Sequence, residues 1–215
     1  MRGNILLTGF EPFGGDTVNP SGEAAKALGG ARIGVAGEYK VVSKILPVEW
    51  VVAGKVVASV IDEVEPAIIM SLGLASGRPE LNVEKVALNY TSRSKDNKGN
   101  ILDELNITND GPDAYFATIP AEDIVKAIKA KGIPARLSLS AGAYLCNYTF
   151  YSASDYIAQK GKRDKVPVGF IHIPATPDMV AGTGKSMASM DLDMIKHGVM
   201  EAIGVSVKFL TNQGA

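Results

Sequence analysis

Thiol and imidazole are scarce in this chain of 215 residues, which carries one cysteine, Cys146, and two histidines, His172 and His197. A single cysteine excludes a disulfide within the chain and argues against a Cys-built zinc site. Charge of one sign is lacking too. Lys and Arg number 22 against 23 Asp and Glu, so there is no basic excess of the kind a nucleic-acid footprint needs. No apolar run approaches the ~18 residues of a membrane span. The stretch Ile5 to Leu7 is too short for a signal-peptide core and runs straight into a turn. Internal repeats, low-complexity tracts and Pro/Gly/Ser-rich linkers are absent as well. These absences lead us to expect a cytoplasmic protein with neither a nucleic-acid nor a membrane partner. In that setting the Asn-x-Thr triplets at Asn89, Asn106 and Asn147 are chance matches.

What is present is an ordinary apolar fraction, 46%, at a length that suits one domain over residues 1–215. At this size roughly 70% of the unfolded chain's surface can be buried, so no metal or disulfide staple is needed. Short apolar runs alternate with longer amphipathic stretches. Strands are expected at Asn4 to Thr8, Tyr39 to Leu46, Ala67 to Leu72, Val83 to Asn89, Ala135 to Leu139 and Val168 to Pro174. Helices are expected from Asn19-Pro20, an N-cap followed by proline, to Leu28. Others are expected at Trp50 to Glu65, Ala121 to Lys131, Gly142 to Gln159 and Met187 to Thr211. The stretch from Tyr90 to Tyr115 has no sustained periodicity, and a loop this long is usually functional or mobile. Strands alternating with helices, several strands being continuously apolar, predict an α/β fold. We expect a single open, mostly parallel twisted sheet with helices on both faces. Ligands in such sheets sit beyond the carboxyl ends of the strands.

Several motifs can then be weighed. Gly182-Thr183-Gly184-Lys185-Ser186 imitates the tail of a phosphate-binding loop, but Met179 stands where the leading glycine belongs and Pro174 and Pro177 separate it from the strand. It reads as a flexible loop before the last helix. The turn from Gly9 to Gly15 presents Phe10 and Phe13 at a strand's carboxyl end, consistent with an apolar small-molecule pocket. His197, on the C-terminal helix, reads as a surface residue. His172 closes a buried strand, where an imidazole needs a partner or a function. Cys146 follows a strand and enters a helix, where free N–H groups and the helix dipole favour a thiolate. A lone cysteine there, with a histidine at another strand end, is the pattern of a thiol nucleophile and its base. A carboxylate to orient the imidazole is still required; Glu84, Glu80 and Asp178 all qualify.

Four ordered blocks carry a more specific signal. They are Leu6-Leu7-Thr8-Gly9-Phe10-Glu11-Pro12-Phe13-Gly14-Gly15 with Asn19-Pro20-Ser21; Gly73-Leu74-Ala75-Ser76-Gly77-Arg78 through Glu84 to Asn89; Ser140-Ala141-Gly142 through Cys146-Asn147; and Gly169-Phe170-Ile171-His172-Ile173-Pro174. In these blocks the chain resembles the pyrrolidone-carboxylate peptidases (pyroglutamyl peptidase I), cysteine peptidases that remove an N-terminal pyroglutamate. The resemblance implies a Glu–Cys–His triad at Glu84, Cys146 and His172. It implies a pyroglutamyl pocket built from Phe10, Phe13, Asn19 and Tyr144, and an oxyanion donor at Arg93. The Arg93 region departs from the family pattern by one residue, with Ser94-Lys95 in place of an apolar-Pro pair. Leu74 stands where some members have glutamine, so it is given no side-chain contact. The resemblance implies no metal or cofactor, a peptide substrate, and a homo-oligomer, a tetramer by analogy. A non-catalytic binding domain of the same fold and a different Cys-dependent amidase are the alternatives.

Overall fold

The computed structural model describes residues 3–183 and 186–213. In chain order the elements are β1 (Gly3–Phe10), α1 (Pro20–Leu28), β2 (Arg32–Ile33), β3 (Tyr39–Leu46), α2 (Val52–Val64), β4 (Ile68–Leu74), β5 (Leu81–Glu84) and β6 (Val86–Leu88). They continue with β7 (Ala114–Phe116), α3 (Ala121–Ala130), β8 (Ala135–Ser138), α4 (Leu145–Gln159), β9 (Val168–Ile173), α5 (Pro177–Thr183) and α6 (Leu192–Gln213). The main sheet has the order β2-β3-β1-β4-β9-β5-β8, and β6 with β7 forms a separate two-stranded ribbon.

The expected sheet is present, and its centre is parallel: β3, β1, β4 and β9 run together. Every residue of β4 and β9 is buried, as continuous apolar runs covered on both faces should be. Ile5, Leu6 and Leu7 of β1 are fully buried, each contributing about 1.5–3 kcal/mol of transfer free energy. Helices α2 and α4 pack together on the sheet, while α1, α3 and α6 form a second group. After β3 the chain crosses over β1 to form β4 on its other side. The carboxyl ends of β1 and β4 therefore flank a topological switch point, the usual place for a ligand crevice.

Several boundaries differ from expectation. The single strand expected over 83–89 is two, broken at Lys85. There the chain leaves the main sheet: Lys85 N–H donates to Ser138 O, and its carbonyl accepts from Ala117 N–H. Strand β5 is antiparallel to β9, and β8 is parallel to β5, so the sheet is mixed at this edge. Helix α2 starts at Val52 because Val51 is held at φ 61°, a left-handed backbone that cannot continue a helix. Helix α4 starts at Leu145, three residues later than the pattern suggested, since Gly142 sits at φ 80°. Helix α6 starts at Leu192, with Asp191 Oδ1 accepting from Asp193 N–H at 2.8 Å as a cap. The segment read as a flexible loop over 182–186 begins inside α5, and Gly184 and Lys185 lie outside the described residues.

The long segment after β6 is tied down by buried polar side chains. Asn89 Oδ1 accepts from Ile107 and Thr108 N–H. Asp96 accepts from the N–H groups of Trp50, Lys98 and Asn100. Asn147, in the first turn of α4, accepts from Leu88 N–H and donates to Leu88 O and Tyr90 O. The residue after Cys146 thus locks the start of α4 to the ribbon.

Candidate active site

Two neighbouring strands and the start of a helix meet near the carboxyl edge of the central strands. On β9, His172 faces the same side of the sheet as Phe170, and their rings lie 4.9 Å apart. Strand β5 runs beside it, with Glu84 opposite Phe170 and Asn82 opposite His172. Glu84 and His172 are therefore diagonal neighbours on one face, within reach of long side chains. The imidazole Nδ1 and Glu84 Oε1 are 2.7 Å apart, and the carboxylate is 0% exposed. The same Oε1 accepts from Arg78 Nη1 at 3.1 Å, while Oε2 has no hydrogen-bond partner among the described residues.

The third part is the start of α4. Cys146 is its second residue, half-buried and free. The N-cap residue is Tyr144, whose side chain makes no capping bond. The first-turn N–H groups are therefore left without a side-chain acceptor, an arrangement that favours negative charge. Room for the sulfur comes from Gly73 on β4, which pairs with His172. A Cβ on Gly73 would lie 2.7 Å from Cys146 Sγ, closer than van der Waals contact permits.

The electrostatics tie these groups together. Burial opposes charging of His172. The negative charge of Cys146, the hydrogen bond to its sulfur and the hydrogen bond to Glu84 outweigh that burial and push the pKa of His172 up to about 9. The charge on His172 therefore depends on its two neighbours, Cys146 on one side and Glu84 on the other. With Nδ1 committed to Glu84, Nε2 is the nitrogen left for the sulfur.

Beside Cys146 lies a small apolar cavity bounded by Phe10, Phe13, Asn19 and Tyr144, with Val48, Leu74 and Leu145. All four residues expected of the pocket are brought together, although their roles differ in detail. Phe10 is the last residue of β1 and buried, rather than displayed on a loop. Phe13, 6.4 Å from the Tyr144 ring, is the more accessible of the pair. Asn19 is the N-cap of α1. Its Oδ1 accepts from Ser21 N–H and Oγ, and its Nδ2 donates to Glu11 O, so it braces the first turn. The Tyr144 hydroxyl donates to Lys95 O at 2.9 Å, and its ring meets Trp50 edge-on at 5.1 Å. Leu74 supplies an apolar wall where no contact was expected.

Arg93 is exposed and makes no hydrogen bond or ion pair among the described residues. Its segment is nonetheless held against the turn before α4, since Ser92 N–H donates to Ala143 O at 2.6 Å. His197 is exposed on α6, beside Met194 and Glu201 in a separate groove. Glu80 pairs with Arg136 instead of His172. Sequence reasoning passed over Gly73, Trp50 and Arg78. Arg78 had a legible signal: a basic residue six places before a carboxylate in a buried strand.

A family model described as pyroglutamyl peptidase matches residues 3–209. The chain belongs to that family. A pyrrolidone-carboxylate peptidase of Coprothermobacter proteolyticus is 45% identical over 202 residues, covering 94% of this chain and 95% of that one. Among solved structures, the pyrrolidone carboxyl peptidase of Thermococcus litoralis superposes with a TM-score of 0.91 at 36% identity, over 98% of this chain and 96% of that one. The pyroglutamyl peptidase I of Bacillus amyloliquefaciens gives 0.89 at 38% identity, over 96% and 97%. Membership in the pyroglutamyl peptidase family thus spans nearly the whole chain, including the two strands and the helix that carry Glu84, Cys146 and His172.

Proposed function

We propose that this chain hydrolyses the amide bond after an N-terminal pyroglutamyl residue through a thioester on Cys146. The observation that carries the reading is the bridging imidazole: His172 lies 2.7 Å from a buried Glu84 oxygen and in electrostatic contact with Cys146, beside an apolar cavity. A binding module has no need of such a chain of groups.

In this reading the lactam ring lies between apolar faces from Phe10, Phe13 and Tyr144. A neutral five-membered ring suits that environment. An ordinary N-terminus would bring an ammonium that the cavity desolvates without compensation, so a free amino terminus is rejected. The thiolate of Cys146 attacks the pyroglutamyl carbonyl, and the C–S bond forms as the oxygen takes the negative charge. The Cys146 N–H, uncapped at the start of α4, receives that oxyanion. Arg93, an unpaired cation on a segment bonded to Ala143, is the candidate second donor. His172 passes its proton to the leaving amine as the C–N bond breaks. Neutral His172 then takes a proton from water, whose oxygen attacks the thioester, and thiolate leaves. Glu84 fixes the tautomer that presents Nε2 to the sulfur.

Release of chromophore from a pyroglutamyl anilide, with an alanyl anilide as control, tests the reading. Turnover of the first alone is expected. Turnover of neither refutes catalysis, and equal turnover refutes the specificity. The same reading includes a homotetramer, supported by the family resemblance, and the cytoplasmic setting expected from the sequence. Light scattering on the purified chain tests the first. No helix among the described residues is long and apolar enough to cross a membrane.

A further inference from the structure

Glu84 is a carboxylate with no exposure, one oxygen shared by two donors and the other without a hydrogen bond among the described residues. A buried charge persists only when paired. During the reaction proposed above, one of its two partners changes charge. His172 is cationic while the thiolate waits for substrate, and neutral when it must take a proton from water. In that second state a neutral N–H is all that His172 offers the carboxylate. The guanidinium of Arg78, 3.1 Å from the same oxygen and one-third exposed, is always charged.

The other ionisable groups packed around Glu84 are committed elsewhere. On β8, Arg136 pairs with Glu80 and donates to Asn82. Lys85, next in sequence, pairs with Glu122 of α3. Cys146, from α4, meets the imidazole and brings a negative charge of its own.

We propose that Arg78 is a positioning residue for this triad: its guanidinium supplies Glu84 with the counter-charge that holds it on His172 Nδ1 while the imidazole is neutral. With Arg78 present, the cluster of guanidinium, carboxylate and neutral imidazole carries no net charge apart from the sulfur. Without it, the buried carboxylate is balanced only by drawing a proton onto His172. The base that deacylation needs is then available only at higher pH. Acylation, which starts from the imidazolium, is less affected. The inference rests on the roles proposed for Cys146, His172 and Glu84.

The test uses an activated pyroglutamyl ester, on which acylation is fast and kcat reads deacylation, alongside the anilide. Arg78→Gln is expected to lower kcat at pH 7 by about 10- to 100-fold, the scale seen when the group behind a functional imidazole is removed. Its rising pH limb should move up by about one unit, with a smaller change in kcat/KM on the anilide. Arg78→Lys keeps a cation in place and should restore most of the rate and the limb. It also carries the test should the Gln variant fail to fold, for it then must retain the wild-type limb. A purely structural role would lower the melting temperature and scale kcat and kcat/KM together, with the limb unmoved; that result overturns the proposal. So does an Arg78→Lys limb displaced as far as that of Arg78→Gln. Cys146→Ser separates the two readings: retained turnover there removes the triad and this inference with it. An inactive Cys146→Ser with an unmoved Arg78→Gln limb removes the inference alone.

Discussion

Gly73→Ala offers a perturbation whose size can be read from the structure. The added Cβ would lie 2.7 Å from Cys146 Sγ and 2.7 Å from Phe170 Cζ, where ordinary contact begins at 3.4–4 Å. Something must therefore retreat by about 0.7–1.3 Å. Phe170 has little room, being fully buried and stacked on Phe150 at 5.9 Å. The sulfur is half-buried and faces the cavity, so most of the displacement falls on Cys146. A misplacement of about 1 Å at a reacting atom costs on the order of 100-fold in rate, or about 2.7 kcal/mol of transition-state stabilisation. Overpacking adds a stability cost of about 1–3 kcal/mol. The expected outcome is a roughly 100-fold fall in kcat/KM on the pyroglutamyl anilide, with a folded protein of modestly lower urea midpoint. Gly198→Ala is the control. Its Cβ would crowd Leu81 Cδ1 at 2.3 Å, a side-chain tip far from the sulfur, so it should lose stability but keep kcat/KM per folded molecule. A Gly73→Ala enzyme with wild-type kcat/KM refutes the placement of the sulfur against β4.

Three further outcomes follow from the same geometry. Glu84→Gln keeps the shape but presents His172 with an amide; kcat should fall by about 100- to 10,000-fold, and an unchanged rate by steady-state assay would remove Glu84 from the mechanism. Because the pKa of His172 is raised to about 9, kcat/KM should decline as pH passes through about 9, where the proton for the leaving amine is lost. Its contribution to stability has the same sign: complete below the unfolded value near ~6.5 and lost as pH rises through about 9. A pH–rate profile flat to pH 10, together with pH-independent melting, would contradict the ion pair. Asn147→Ala deletes three buried bonds to Leu88 and Tyr90 and should cost about 2–4 kcal/mol. Calorimetry would then show a melting temperature lower by roughly 5–15 °C; a shift under 2 °C would mean the ribbon is not anchored there.

Much of this architecture was legible in local pattern. Tyr39–Leu46 and Pro20–Leu28 fall where alternation and the Asn-Pro cap put them, because those signals are written into consecutive residues. The reversed direction of β5 and β8 was not legible, since strand direction depends on partners distant in sequence. The break at Lys85 was hidden for the same reason. Ser138 and Ala117 take its backbone groups, and neither is near it in the chain. The two-residue β2 is too short to show a period. In the site, Cys146 and His172 stood out by scarcity and by their place at element ends. Glu84, Glu80 and Asp178 stayed equal until the family resemblance singled out Glu84; in the structure Glu80 pairs with Arg136 and Glu84 with His172. Gly73 escaped because its importance lies in Cys146, which meets it from a helix distant in sequence, whereas the partner of Arg78 is only six residues on. Asn19 borders the cavity; its amide also caps α1 and holds Glu11, and the bond to Glu11 was not part of the sequence reading.

The central claim, covalent catalysis by Cys146, is tested most directly by trapping the intermediate. The enzyme would be mixed with an activated pyroglutamyl ester, quenched in acid within the first turnover, digested and weighed by mass spectrometry. The account predicts one pyroglutamyl group on the peptide that contains Cys146, released by hydroxylamine and absent from Cys146→Ser. Full turnover with no adduct on that peptide, or an adduct on any other residue, would contradict it.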